Sequence, residues 1–140
     1  MKAAYFQGLA GIWAGVSLGG ALIAAPAKFQ VEALTLPVAL QVGQAQFGWL
    51  WICEGVLALM FLGAVLANRQ VWWAAIAAPM VLFAVQMVGI VPTLDARTER
   101  AIAGEVLEPS HLHLVFVALE VLKFLSLAAV AVGLATREGR

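Results

Sequence analysis

Charged and strongly polar residues are gathered into short clusters along this chain, and four long apolar stretches lie between them. Ala3 to Ala27 carries no charge over 25 residues, more than the about 20 that a helix needs to cross the hydrocarbon core of a bilayer. A cleaved secretory signal is the competing reading, since Lys2 precedes the stretch and Ala25-Pro26-Ala27 resembles a small-residue cleavage site. The apolar length, however, exceeds the ~7–15 residues of a signal core. Phe47 to Leu66 reads FGWLWICEGVLALMFLGAVL, interrupted by Glu54 alone, and ends at the polar joint Asn68-Arg69-Gln70. Val71 to Leu94 is again free of charge, and Pro92 and Asp95 close it. Leu112 to Ala135 is the fourth stretch, announced by Pro109 and by Ser110 as a helix cap, with Glu120 and Lys123 inside it. Alternation at period two is absent, so a β-barrel is not predicted. The predicted fold is all-α: one integral membrane four-helix bundle over residues 1–140, with spans at about 4–26, 47–67, 71–92 and 111–135. Thr35 and Pro37 predict a short interfacial helix before the second span.

Composition agrees with this map. Of the 140 residues 64% are hydrophobic and 11% are charged, against about a quarter charged in a soluble domain. Eight basic and eight acidic residues cancel, and no Lys/Arg run is present, so nucleic acid is not an expected partner; the lipid bilayer is. The single cysteine excludes an intrachain disulfide and a CxxC motif. Four crossings place both termini and the Asn68 joint on one side and the two long connections on the other. The terminal side holds Lys2, Arg69, Arg137 and Arg140, and the loop side Lys28, Arg97 and Arg100, which predicts cytoplasmic termini in a bacterial inner or plasma membrane.

Ionisable residues within spans carry the most information, because a charge at the bilayer centre costs at least ~2.5–3.5 kcal/mol and needs a partner or water. At 1.5 Å per residue from the long-loop face, Glu54 lies roughly 10 Å deep, Glu120 near ~15 Å and Lys123 near ~20 Å, with His113 close to the surface. His113 and Glu120 are seven residues apart on one helix face, Lys123 follows Glu120 at i+3, and Gln86 reaches a comparable depth. The expectation is a polar cluster of Glu54, Gln86, His113, Glu120 and Lys123 opening toward the long-loop face. It is either a ligand site or a buried salt bridge that fixes helix register. Gly11, Gly15 and Gly19 form a ladder that lets another helix approach closely, within the bundle or across an oligomer seam. Cys53 and Met60, and Met80 and Met87, are soft donors that would suit Cu(I), but no CxxC, MxxM or HxxH cluster accompanies them and they are read as core packing. The five tryptophans, Trp13, Trp49, Trp51, Trp72 and Trp73, fall mostly near span ends and are read as interfacial anchors. No GxSxG, HExxH, phosphate-binding glycine loop or CxxCH is present, and both histidines adjoin one helix end, so neither an enzyme nor a cofactor is predicted.

The glycine-rich first helix ending in Ala25-Pro26-Ala27-Lys28-Phe29, the Pro92 that closes the third, and the polar loop leading to His113 come in an order that resembles the membrane family including eukaryotic transmembrane protein 205 and small bacterial relatives. The resemblance covers roughly residues 9–132. It implies a four-helix integral membrane protein with no established enzymatic activity, and some relatives are associated with metal-drug resistance or copper handling. Seven residues after the histidine the family tends toward an amide, where this chain has Glu120. The function expected from these readings is binding or transport of a cation or small polar solute through an outer-facing polar cavity, with Lys123 as counter-charge at its floor. The alternative is a structural or assembly subunit, docking a second copy or another membrane protein through the glycine face.

Overall fold

The computed structural model describes residues 2–67 and 73–133. The Asn68-Arg69-Gln70 joint, Trp72, Arg137, Arg140 and the end of the fourth predicted span lie outside them. The fold is an all-α four-helix bundle, and its helices are long and apolar enough to cross a membrane. The first helix, α1, is α-helical over Lys2–Val16, π-helical over Ser17–Ala24, and ends in short turns at Ala25–Ala27 and Lys28–Gln30. Helix α2 is Leu36–Leu66. Helix α3 is α-helical over Trp73–Val85, π-helical over Gln86–Ile90 and α-helical again over Val91–Ile102. Helix α4 is Leu112–Ala131. Around the bundle α1 packs against α2 and α4, and α3 packs against α4 and, through its Val91–Ile102 part, against α2.

Two boundaries differ from the sequence reading. The expected interfacial helix is the first part of α2 itself. Thr35 occupies the cap position and Pro37 the first turn, as predicted, but no proline follows before Leu66, so the helix runs straight on into the span. Helix α3 likewise continues past Pro92 and Asp95 to Ile102, and ends where Gly104 adopts a positive φ of 86°. Pro92 is tolerated because the turn before it has widened. Val91 N–H donates to the Gln86 carbonyl, five residues back, and Ala25 N–H donates in the same way to that of Gly20. Each π stretch ends two residues before a proline, Pro26 or Pro92, whose ring crowds the carbonyl four residues earlier. At the start of α4 the Ser110 hydroxyl accepts the Leu112 N–H at 3.2 Å.

The interior is layered. At the end nearer the termini, Phe6, Leu9, Ala10, Trp13, Phe61, Val65, Ile76, Leu127 and Val130 form the larger apolar core. Phe6 and Phe61 stack at 4.6 Å, and the Trp13 ring meets Phe61 and Phe83 edge-on at 5.8 and 5.6 Å. Toward the long loops, Ile90, Val91 and Phe116 form a smaller core with Phe47, Trp51 and Met87. Ser17, Glu54, Gln86, Glu120 and Lys123 are buried at the level between the two. Outward positions are apolar instead: Ile12, Ile23, Trp49, Leu59, Val88 and Leu122 are all exposed. Polar residues inside and large apolar residues outside are what a bilayer demands of a bundle.

Candidate functional site

The buried polar layer is built around one ammonium. Lys123 Nζ lies 2.8 Å from both Glu54 Oε1 and Glu54 Oε2, and 3.0 Å from Glu120 Oε2. An ammonium has three protons to donate, and these three oxygens can take them. The remaining carboxylate capacity is met from α1 and α3. Trp13 Nε1 donates to Glu54 Oε1 at 3.2 Å, the Ser17 hydroxyl donates to Glu120 Oε1, and Gln86 Nε2 donates to Glu120 Oε2 at 2.8 Å. Gln86 Nε2 also lies 3.4 Å from the Phe116 carbonyl, and the Phe83 ring centroid is 5.4 Å from Lys123 Nζ. None of Ser17, Glu54, Gln86, Glu120 and Lys123 is more than 2% exposed, so these interactions act with little competition from solvent.

Local geometry explains the convergence. Glu120 and Lys123 stand three residues apart on α4 and share a face. Trp13 and Ser17 are one turn apart on α1, and Ser17 opens its π stretch as Gln86 opens that of α3. The wider turns thus begin at the cluster and run toward the long-loop end. Three features are left over. Two carboxyl groups surround one ammonium, a formal charge of −1 if both are ionised. Lys123 is shared unequally, with two contacts to Glu54 and one, longer, to Glu120. Gln86 Oε1 is buried and has no hydrogen-bond partner.

Four of the five residues expected from sequence therefore meet, and His113 does not join them. It is exposed, and lines a separate cavity of about 310 Å³ at the long-loop end. The cavity lies between the end of α1, the first half of α2, the extension of α3 and the start of α4, and Lys28, Gln44, Asp95 and Thr98 also line it. The cluster does not open into this space. Phe47, Trp51 and Phe116 stand between the two, with Phe47 at 5.8 Å from each of the other rings. Phe116 and Ala21 sit one turn above Glu120 and Ser17, so one apolar layer separates cavity from charge.

Sequence reasoning missed Trp13 and Ser17. Trp13 is not an interfacial anchor: its ring is fully buried and its N–H is bonded to Glu54. A signal was available, because Ser17 is the only serine or threonine in the first apolar run and Trp13 precedes it by one turn. The glycine ladder is not an internal seam either. A Cβ on Gly11 would meet Ala131 at 3.7 Å, but on Gly15 or Gly19 it would meet nothing within 4 Å, and all three glycines are exposed. The glycine that brings α1 close to α2 is Gly20, where a Cβ would come within 2.6 Å of Leu50 Cδ1. The sulfur residues stay apart. Cys53 and Met60 are exposed on α2, Met80 packs in the larger core and Met87 in the smaller one. Among the described residues no group of three or more His, Cys, Asp or Glu side chains is placed to hold a metal ion.

Comparison of the chain with protein-family models, curated proteins and solved structures finds no match.

Proposed function

We propose that this chain is a small membrane binding or transport protein whose buried cluster takes up and releases a cation, and that the cation is a proton carried by Glu120. The observation that carries this reading is the ratio of two carboxyl groups to one ammonium in a layer sealed from water. One proton brings the cluster to neutrality, which the cost of unbalanced charge at bilayer depth favours. Glu120 is its natural carrier, since Lys123 is committed twice to Glu54 and once to Glu120. The neighbours of Glu120 suit both forms. Ser17 and Gln86 donate to the carboxylate as they stand. Either a rotated hydroxyl or a turned amide would accept the single proton of the carboxylic acid, and the turned amide gives Gln86 Oε1 the partner it lacks. A metal ion or small solute fits this place less well, because Lys123 Nζ already sits between the carboxylates.

The cavity is the vestibule in this reading, and the Phe47, Trp51 and Phe116 layer is what a proton or water chain crosses to reach the cluster. The resemblance to the transmembrane protein 205 family belongs to the same proposal. Of the residues that carry it, Ala25, Pro26, Lys28, Phe29 and His113 line the vestibule, and Ala27 and Pro92 do not. The membrane would be an inner or plasma membrane with cytoplasmic termini, on the Lys/Arg distribution. The test is decay of an imposed pH gradient in proteoliposomes with an entrapped pH dye. Wild-type protein should collapse the gradient faster than empty vesicles, and Glu54→Gln and Glu120→Gln should remove the difference while the helical circular-dichroism signal is retained. Undiminished proton flux through both variants would discard this site.

One observation favours a second reading, that α1 docks a helix of a second copy. Gly15 and Gly19 are exposed with open space above them, which permits close backbone approach in lipid. Gly15→Leu should then lower the mass of the detergent-solubilised assembly. An unchanged mass would count against docking at this face.

A further inference from the structure

Apart from the proton reading, the cavity at the long-loop end shows a chemistry of its own. Its walls are largely apolar, contributed by Leu22, Phe29, Leu40, Phe47 and Val117 among others. Into these walls is set the ammonium of Lys28, at the end of α1. Its Nζ lies 5.2 Å from the Phe29 ring centroid and 5.4 Å from that of Phe47, and rests where a Cβ on Gly43 would stand. Among the described residues the Lys28 ammonium makes no ion pair and no hydrogen bond, although Asp95 lines the same cavity. A half-buried cation held by two rings and a glycine, with its three protons undirected, is a preformed counter-charge. Gln44 on the same lining supplies a neutral donor, whereas the Thr98 hydroxyl donates to the Leu94 carbonyl at 2.9 Å.

We infer that this cavity binds a short-chain amphiphile with an anionic head, a phosphate or carboxylate, whose head meets Lys28 and whose chain lies on the Phe29, Leu40 and Phe47 side. The volume of about 310 Å³ lies at the lower end of the range for small-molecule pockets, ~300–1,000 Å³, which limits the occupant to a single short chain. The lone ammonium selects the sign of the head, and the apolar walls select an amphiphile over a free anion. Asp95 on the opposite α3 wall disfavours a second negative group.

The test is native mass spectrometry of the full chain in non-ionic detergent, titrated with decyl phosphate, decyltrimethylammonium and inorganic phosphate. One decyl phosphate should bind per chain. Lys28→Met should weaken it about tenfold, the effect of losing one charge-assisted contact, and Lys28→Arg should retain it. Gly43→Ala, which keeps the charge but displaces the ammonium, should weaken it as well. Asp95→Asn should leave it unchanged or tighter. Equal binding of decyltrimethylammonium, or affinity unaffected by both Lys28→Met and Gly43→Ala, would overturn the inference. Inorganic phosphate binding as tightly as decyl phosphate would assign the site to a free anion and overturn the amphiphile. None of these outcomes bears on the Glu120 proton, which is read by the gradient assay, so the two proposals fail separately.

Discussion

Lys123→Met is expected to destabilise the bundle by about 3–5 kcal/mol, the cost of removing one partner from a buried ion pair. Methionine keeps the length and apolar stem of lysine, so little packing is lost. What is lost is the charge that holds Glu54 and Glu120 together: two carboxyl groups would face each other in a layer no more than 2% exposed. Denaturant unfolding in detergent, followed by tryptophan fluorescence, measures the effect. The triple variant Lys123→Met, Glu54→Gln, Glu120→Gln removes the charges along with their counter-ion and should recover most of the loss, since apolar or neutral replacements of a whole buried pair are often close to neutral. A triple variant as unstable as Lys123→Met alone would mean that lysine acts through packing and not through charge.

Trp13→Ala is expected to cost about 3 kcal/mol, the lower part of the range for removing a buried tryptophan. The lower part applies because lipid solvates apolar groups as well as a core does, which leaves the void and the lost ring contacts as the penalty. Those contacts are specific: edge-on packing with Phe61 and Phe83, and the N–H donated to Glu54 Oε1. Trp13→Phe keeps a ring and loses the donor, and should cost about 1 kcal/mol, the net worth of an ordinary hydrogen bond. The comparison separates the two roles by thermal unfolding in the same detergent. Equal losses for alanine and phenylalanine would show that the hydrogen bond to Glu54, and not the ring, holds α1 in place.

The number and type of elements were legible because bilayer thickness imposes a length on each apolar run, and Glu54, Gln86, Glu120 and Lys123 were legible because polar groups at that depth must find one another. What sequence did not show has physical reasons. His113 was assigned to the cluster by its seven-residue spacing from Glu120, but that spacing also lifts it two turns toward the surface, into the cavity lining. Pro92 was read as a helix end. The π turn at Gln86–Ile90 absorbs its missing donor, a local rearrangement with no marker in composition. Gly15 and Gly19 promised a seam because spacing cannot say which face of a helix looks inward; in the fold that face looks out, and Gly20 makes the close approach. A polar cavity was expected at the long-loop end, but its largely apolar walls and its separation from the charges were not foreseen, since they depend on α2 beginning at Leu36 and α3 running on to Ile102, both beyond the expected spans.

The central claim is that a proton resides on Glu120 within the Glu54–Lys123 pair and can leave it. Infrared difference spectroscopy of the protein in lipid, recorded through a pH titration, reads this directly in the carbonyl stretch of a protonated carboxyl group. A titrating carboxylic-acid band is expected in the wild type, absent from Glu120→Gln and shifted in Gln86→Leu, which removes the amide that partners the acid. A band that is missing from the wild type at every pH, or that persists unchanged in Glu120→Gln, would contradict it.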